Sequence, residues 1–231
     1  MDKSDRYKLK KYIDNLRCGK NTGFIDFNKL NNISYVLKKN EYKIYYPYPD
    51  SEKVILYTDN IPKIDVIKID SYYTLKHNEI LGSLFGLNID MEYVGDIIID
   101  KDNYYVIVMS SISKVILDNL YMIGNKNVKL SIVSIDNISN YRREFDTREI
   151  IVSSLRIDNV IARIINTSRS KIKEKIQNKE IILNYNILTN SGYNLKENDI
   201  FSIRRYGKYK FISIVKTTKK DNYIIRYNKY I

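Results

Sequence analysis

The sequence has no tryptophan, one cysteine, one histidine, three prolines and eight glycines in 231 residues. Each shortage closes a class of function. The single thiol, Cys18, cannot build a disulfide framework and fits a reducing compartment. His77 and Cys18 alone leave no His/Cys metal site. Glycine is too sparse for a Gly-rich phosphate cradle, and "GKNTG" at Gly19–Gly23 lacks the spacing and the Lys-Ser/Thr ending of a P-loop. No apolar run approaches the roughly 18–20 residues of a membrane span. Charges scattered through "MDKSDRYKLKKYIDNL" exclude a secretory signal. The expectation is a cytoplasmic protein, with no membrane insertion and no cofactor.

What is present reads as globular: 44% apolar and 29% charged residues, enough for a buried core. Ile, Lys, Asn and the 22 Tyr are over-used, as AT-rich codons dictate, so the lysine total says little. The placement of charge says more. Residues 1–140 hold 19 Lys+Arg against 18 Asp+Glu, whereas residues 141–231 hold 20 against 9. Of 11 arginines, 9 lie at or after Arg142. Codon bias acts on the whole chain alike and cannot produce that split. A confined positive field implies a polyanionic partner.

Patterning divides the chain into three. Residues 1–74 carry a charged amphipathic helix, a second helical pattern with Leu30, Ile33 and Leu37 on one side, and two strand-like runs around Pro47–Glu52. Residues 75–150 read α-β-β-α-β. The first helix, in "TLKHNEILGSLFGLN", pairs Ile80 with Leu84 and Leu81 with Phe85, and Gly82 and Gly86 leave a groove for a closely packed neighbour. The second is expected to be capped by Ser110 or Ser111 and stopped by Gly124. "NYRREFDTREI" reads as a polar bridge. Residues 151–231 read as two short helices, the first capped from Ser153 and the second starting near Arg169, followed by strands in a small twisted sheet. The fold class is α+β.

The second of those helices concentrates chemistry. Lys171 and Lys175 share a stripe, Arg169 and Lys173 a neighbouring one, with Lys179 beyond its end. Ser168 and Arg169 stand at its N-terminus, where free N–H groups and the helix dipole favour a phosphate. An arginine there can grip it with two parallel hydrogen bonds. Arg156 and Arg163 lie two turns apart on the preceding helix. Further on, "SIRRYGKYK" interleaves Arg204, Arg205, Lys208 and Lys210 with Tyr206 and Tyr209, which suits backbone charge plus stacking.

The stretch "LRIDNVIARIINTSRSKIKEKIQNKEIILNYNILTNSGYNLKENDIFSIR" resembles the S4 RNA-binding domain, or αL motif. It has the R-[LI]-D opening, the Ser-Arg pair, a strand like V-x-V-N and a G-D-x-I counterpart. Lys179 stands where that family has the glycine ending the second helix, and Asn198 where it has the glycine before Asp199. Upstream, "HNEILGSLFGLNIDMEYVGDIII" together with "SSLRIDNVIA" resembles the YlmH-type family. That resemblance implies an N-terminal module (1–74), a ferredoxin-like RNA-binding module (75–150) and a C-terminal S4 domain (151–231). It also implies binding to ribosomal RNA and tRNA, and action at the large ribosomal subunit in rescue of stalled nascent chains. By the same resemblance Arg156, Ser168, Arg169, Lys171 and Asn184 face RNA, and Asp158 belongs to the scaffold.

Enzyme readings are weaker. Pseudouridine synthases carry a catalytic aspartate in R-L-D, but a T-S-G-like turn follows it, whereas "NVIARI", a continuing helix face, follows Asp158. A methyltransferase needs a glycine-rich loop that is absent. The expectation is therefore a monomeric, non-enzymatic binder of structured RNA. An RNA-modifying enzyme that docks through an S4 domain is the alternative, and an adaptor for a cell-division or membrane-associated partner a third. Charge reversal of Arg169 to Glu is expected to weaken RNA binding with the fold intact.

Overall fold

The computed structural model describes residues 3–231; Met1 and Asp2 of the charged N-terminal segment lie outside the described residues. Two compact units divide the chain between Arg142 and Arg143.

The first unit opens with α1 (Lys3–Arg17), β1 (Phe24–Asp26), α2 (Phe27–Ser34), β2 (Lys43–Tyr45) and β3 (Lys53–Tyr57). The Asp26 carboxylate accepts the Lys29 N–H and so starts α2. Leu30, Ile33 and Leu37 are buried as their spacing predicts, against Tyr12, Leu16 and Leu56. The strands form a three-stranded antiparallel sheet in the order β1-β3-β2.

A second sheet follows from β4 (Ile64–Asp70), α3 (His77–Gly86), β5 (Val94–Asp100), β6 (Asn103–Met109), α4 (Ser110–Asn119), β7 (Met122–Ile123), β8 (Lys126–Asn127), β9 (Lys129–Val133) and α5 (Asp136–Ser139). Its order is β5-β6-β4-β9, all antiparallel. With α3 and α4 this is the βαββαβ layout of a ferredoxin-like module. Its first strand is β4, so the module begins before residue 75, and the 74/75 boundary cuts through it. Strand β6 shows why its sequence is apolar without a break. Tyr104, Val106 and Val108 face α3 and α4, while Tyr105, Ile107 and Met109 face Phe24, Tyr48 and Ile55 of the N-terminal segment. Gly95 on β5 admits the Phe24 ring; a Cβ there would lie 2.7 Å from it. Beside it the buried Asp96 accepts the Tyr48 hydroxyl at 2.8 Å and the Glu52 N–H at 2.7 Å. Burial also lowers the pKa of Lys53, whose ammonium donates to the Val94 carbonyl at 2.7 Å.

Three local expectations fail here. No serine caps α4, whose N-cap is Met109. Gly124 (φ +62) turns the β7–β8 hairpin instead of stopping that helix. Gly82 and Gly86 open onto space, with nothing packed over them.

The second unit comprises β10 (Phe145–Val152), α6 (Ile157–Ile164), α7 (Arg169–Gln177), β11 (Ile181–Leu183), β12 (Asn186–Ile187), β13 (Ile200–Ile203), β14 (Gly207–Thr217) and β15 (Tyr223–Tyr230). The six strands run antiparallel in the order β10-β15-β14-β13-β11-β12. The supposed polar bridge is thus an edge strand, paired with β15 from Phe145↔Tyr230 to Val152↔Tyr223. Its charges belong to an edge, where they discourage further pairing. Ile157, Val160 and Ile161 of α6 and Ile172 and Ile176 of α7 pack on Phe201, Phe211 and Ile225.

Candidate nucleic-acid interface

The segment "RID" makes the site. Arg156 is the N-cap residue of α6 (φ −57, ψ 132), without a side-chain cap bond, so the serine cap expected near Ser153 is not formed. Ile157 and Asp158 both turn inward and are fully buried. A carboxylate so buried needs partners. Arg156 supplies two, Nε at 3.2 Å from Oδ1 and Nη2 at 3.0 Å from Oδ2. Arg169, the first residue of α7, supplies the third, with Nη2 at 2.9 Å from Oδ2. Burial pushes the Asp158 carboxyl up, but the hydrogen bonds from Arg156 and Arg169 outweigh it and hold the group below the usual carboxylate range. The two guanidiniums remain 40% and 47% exposed. Each has five N–H donors and spends only one or two on Asp158. The cluster keeps one net positive charge and leaves N–H donors on both guanidiniums.

Backbone geometry fixes both arms. The α6–α7 turn passes through Asn166 (φ +51), and the Ser168 hydroxyl accepts the Lys171 N–H to cap α7. The loop after β12 clasps Arg156: Ile157 N–H donates to Tyr193 O at 2.8 Å and Leu195 N–H to Leu155 O at 3.0 Å. Gly192 lies against the guanidinium, where a Cβ would come within 3.0 Å of Nη1. Nothing in the sequence singles out Gly192 beyond its place in a polar loop.

Along α7, Lys171 and Lys173 are exposed. Lys175 is engaged instead: its ammonium meets Glu180 at 2.7 Å and lies 5.6 Å from the centre of the Tyr206 ring. Beyond it Lys179, Arg204, Arg205 and Lys208 line one groove with Glu180. Lys208 sits over the rings of Tyr185 and Tyr230, 5.3 and 4.7 Å from their centres. The sequence-predicted cations therefore form two groups, one at each end of α7.

Two predicted residues fall outside both groups. Arg163 borders a separate hollow with Glu149, Ile150, Ile151 and Ile224. Asn184 is committed internally: Nδ2 donates to buried Asp199 at 2.7 Å and Oδ1 accepts the Ile200 N–H at 2.9 Å. With φ of +46 at Asn184 and +66 at Tyr185, these two residues make the tight β11–β12 turn. Both glycine replacements keep the left-handed backbone, Lys179 at φ +58 and Asn198 at φ +70. The expectation for Arg169→Glu also changes, because a second carboxylate would face buried Asp158 and disturb the fold.

Among the described residues no group of His, Cys, Asp and Glu could hold a metal ion, and no helix is long and apolar enough to cross a membrane. Asp158, sealed and triply bonded, has no face to offer a substrate.

Comparison with known proteins places one match within the first unit. Residues 61–137, from just before β4 into α5, match the family model described as "Putative RNA-binding domain in YlmH". That stretch is similar to the RNA-binding domain of YlmH and is called the YlmH-type module for that similarity. The chain is also 26% identical over 160 residues to the "Ribosome-associated protein quality control protein P2" of Bacillus subtilis (strain 168), covering 69% of this chain. That match spans 62% of the relative's length. A solved structure, "Cell division protein ylmH from Streptococcus pneumoniae", aligns at 19% identity with a TM-score of 0.49, covering 61% of this chain and 97% of that one. The YlmH-type module itself holds 7 lysines, no arginine and 10 Asp+Glu.

Proposed function

We propose that this chain binds structured RNA through its C-terminal unit, as an S4-type domain does, and that its targets are ribosomal RNA and tRNA at the large ribosomal subunit. Its role is in translation or the rescue of stalled nascent chains. The observation that carries this reading is the pair Arg156 and Arg169, held on one buried carboxylate in the first turn of α6 with both guanidiniums partly exposed. A structural ion pair needs one arginine for one aspartate. Two, in a unit with a large basic excess, leave donors for phosphate oxygens. The A-form major groove is too narrow to read, so recognition is by shape and phosphates.

The names of the relatives support the address: one is called ribosome-associated, and the matched domain RNA-binding. The acidic balance of the YlmH-type module argues that it contributes shape or protein contacts, leaving phosphate attraction to the C-terminal unit. The test is UV crosslinking in cells followed by sequencing of the attached RNA. Tags concentrated on large-subunit rRNA and tRNA support the proposal; tags scattered over messages overturn it.

A further inference from the structure

The groove at the far end of α7 differs in chemistry from the arginine pair. Its floor is apolar, carried by Ile182, which is 41% exposed, beside Ser202; the side chain of neighbouring Ile203 faces the core. Its rim is cationic: Lys179, Arg204, Arg205 and Lys208. Its volume is about 470 Å³, within the range of small-ligand sites. The one carboxylate present, Glu180, is already taken by Lys175 at 2.7 Å. Neither Arg204 nor Arg205 forms a side-chain hydrogen bond or ion pair among the described residues, so both guanidiniums are available to a ligand.

The backbone marks the same place. Among the described residues nine non-glycine positions have left-handed φ, and five of them are the tolerant Asn88, Asn166, Asn184, Asn198 and Asp221. Of the other four, Lys179 (φ +58) and Arg205 (φ +71) stand on this rim, and Tyr185 (φ +66) carries Lys208; only Lys101 lies elsewhere. The end of α7 and the β13–β14 turn require that backbone, but glycine or asparagine would adopt it with less strain than the long cations Lys179 and Arg205.

We propose that this groove receives one unstacked nucleotide of the bound RNA, its base on the Ile182 floor and its phosphate on the Arg204–Arg205 rim. The inference rests on the RNA reading above and sharpens it: the target contains a bulged or looped-out nucleotide beside a helix. A continuous duplex keeps its bases stacked and cannot cover the floor. An acidic peptide would satisfy the rim and leave Ile182 exposed, so the flat face of a base is the better complement.

The test uses the full chain and two RNA hairpins of the same stem, one with a single bulged 2-aminopurine and one fully paired. Wild type is expected to prefer the bulged hairpin by about tenfold, with fluorescence of the bulge changing on binding. The double variant Lys179→Gly/Arg205→Asn, whose new residues suit left-handed φ, should melt no lower than wild type and lose the preference. Equal binding of both hairpins by wild type overturns the groove assignment alone. So does a preference that survives in the double variant, or capture of fluorescent hexaglutamate by wild type that the double variant abolishes. No binding of either hairpin overturns the RNA reading itself.

Discussion

Arg169 Nη2 lies 2.9 Å from Oδ2 of Asp158, a carboxylate eleven residues earlier in the chain and closed to solvent. This contact ties the first residue of α7 to the first turn of α6. It makes the fold of the helix pair and the presentation of the guanidinium one event. Arg156 Nη2 donates to the same oxygen at 3.0 Å.

The first expected outcome concerns acid. The folded-state pKa of Asp158 is depressed, so its contribution is present above the unfolded value near 3.9 and is lost as pH falls through the folded value. Urea titrations of wild type should show stability declining below about pH 4. In Asp158→Asn that part of the acid limb should flatten, with stability at neutral pH lower by about 1–3 kcal/mol.

Position 169 separates charge from geometry. Arg169→Lys keeps the ion pair but not the fork, and is expected to fold normally while binding RNA several-fold more weakly. Arg169→Glu should lower the melting temperature, because it sets a carboxylate against Asp158. Circular dichroism melts beside fluorescence anisotropy distinguish the two. A charge reversal that leaves stability unchanged would show that the pair is not held as described.

Gly192 offers a variant at a residue with no charge. In Gly192→Ala the new methyl presses on Arg156 Nη1 at 3.0 Å. The guanidinium is the mobile end of a side chain and can yield, so the melting temperature should move little. RNA affinity should fall more than stability does, as seen by anisotropy at fixed salt.

Much of this is legible in the sequence, and each miss has its own physical reason. The two short helices that open the C-terminal unit are legible, and the helical spacing of Ile157, Val160, Ile161, Ile172 and Ile176 agrees with their burial. Asp158 was assigned to the scaffold by resemblance, but neither its two arginine partners nor the clash in Arg169→Glu could be read from spacing. β10 was missed because an edge strand with Asp146, Arg148 and Glu149 lacks the alternation of a half-buried one. No strand at β4 is read from the sequence, and the 74/75 boundary leaves that stretch with the N-terminal module, because strand order within a sheet is not local. Asn184 was assigned to the RNA face because its motif fixes residue type without showing where the amide points. Its bonds to Asp199 and Ile200 do that.

Salt dependence provides a count. If the arginine pair and the neighbouring lysines engage four to six phosphates, log K should fall against log salt with a slope of roughly −4 to −5. Lys171→Ala/Lys173→Ala should reduce that slope by about 2. A slope near zero would mean that phosphates do not carry the affinity.

The most direct measurement is UV crosslinking in cells followed by mass spectrometry of the peptides that retain RNA. The account predicts RNA on peptides from the α6–α7 segment, residues 154–177, and from the β13–β14 turn, residues 203–208. RNA confined to peptides of the YlmH-type module, with none on the C-terminal unit, would contradict it.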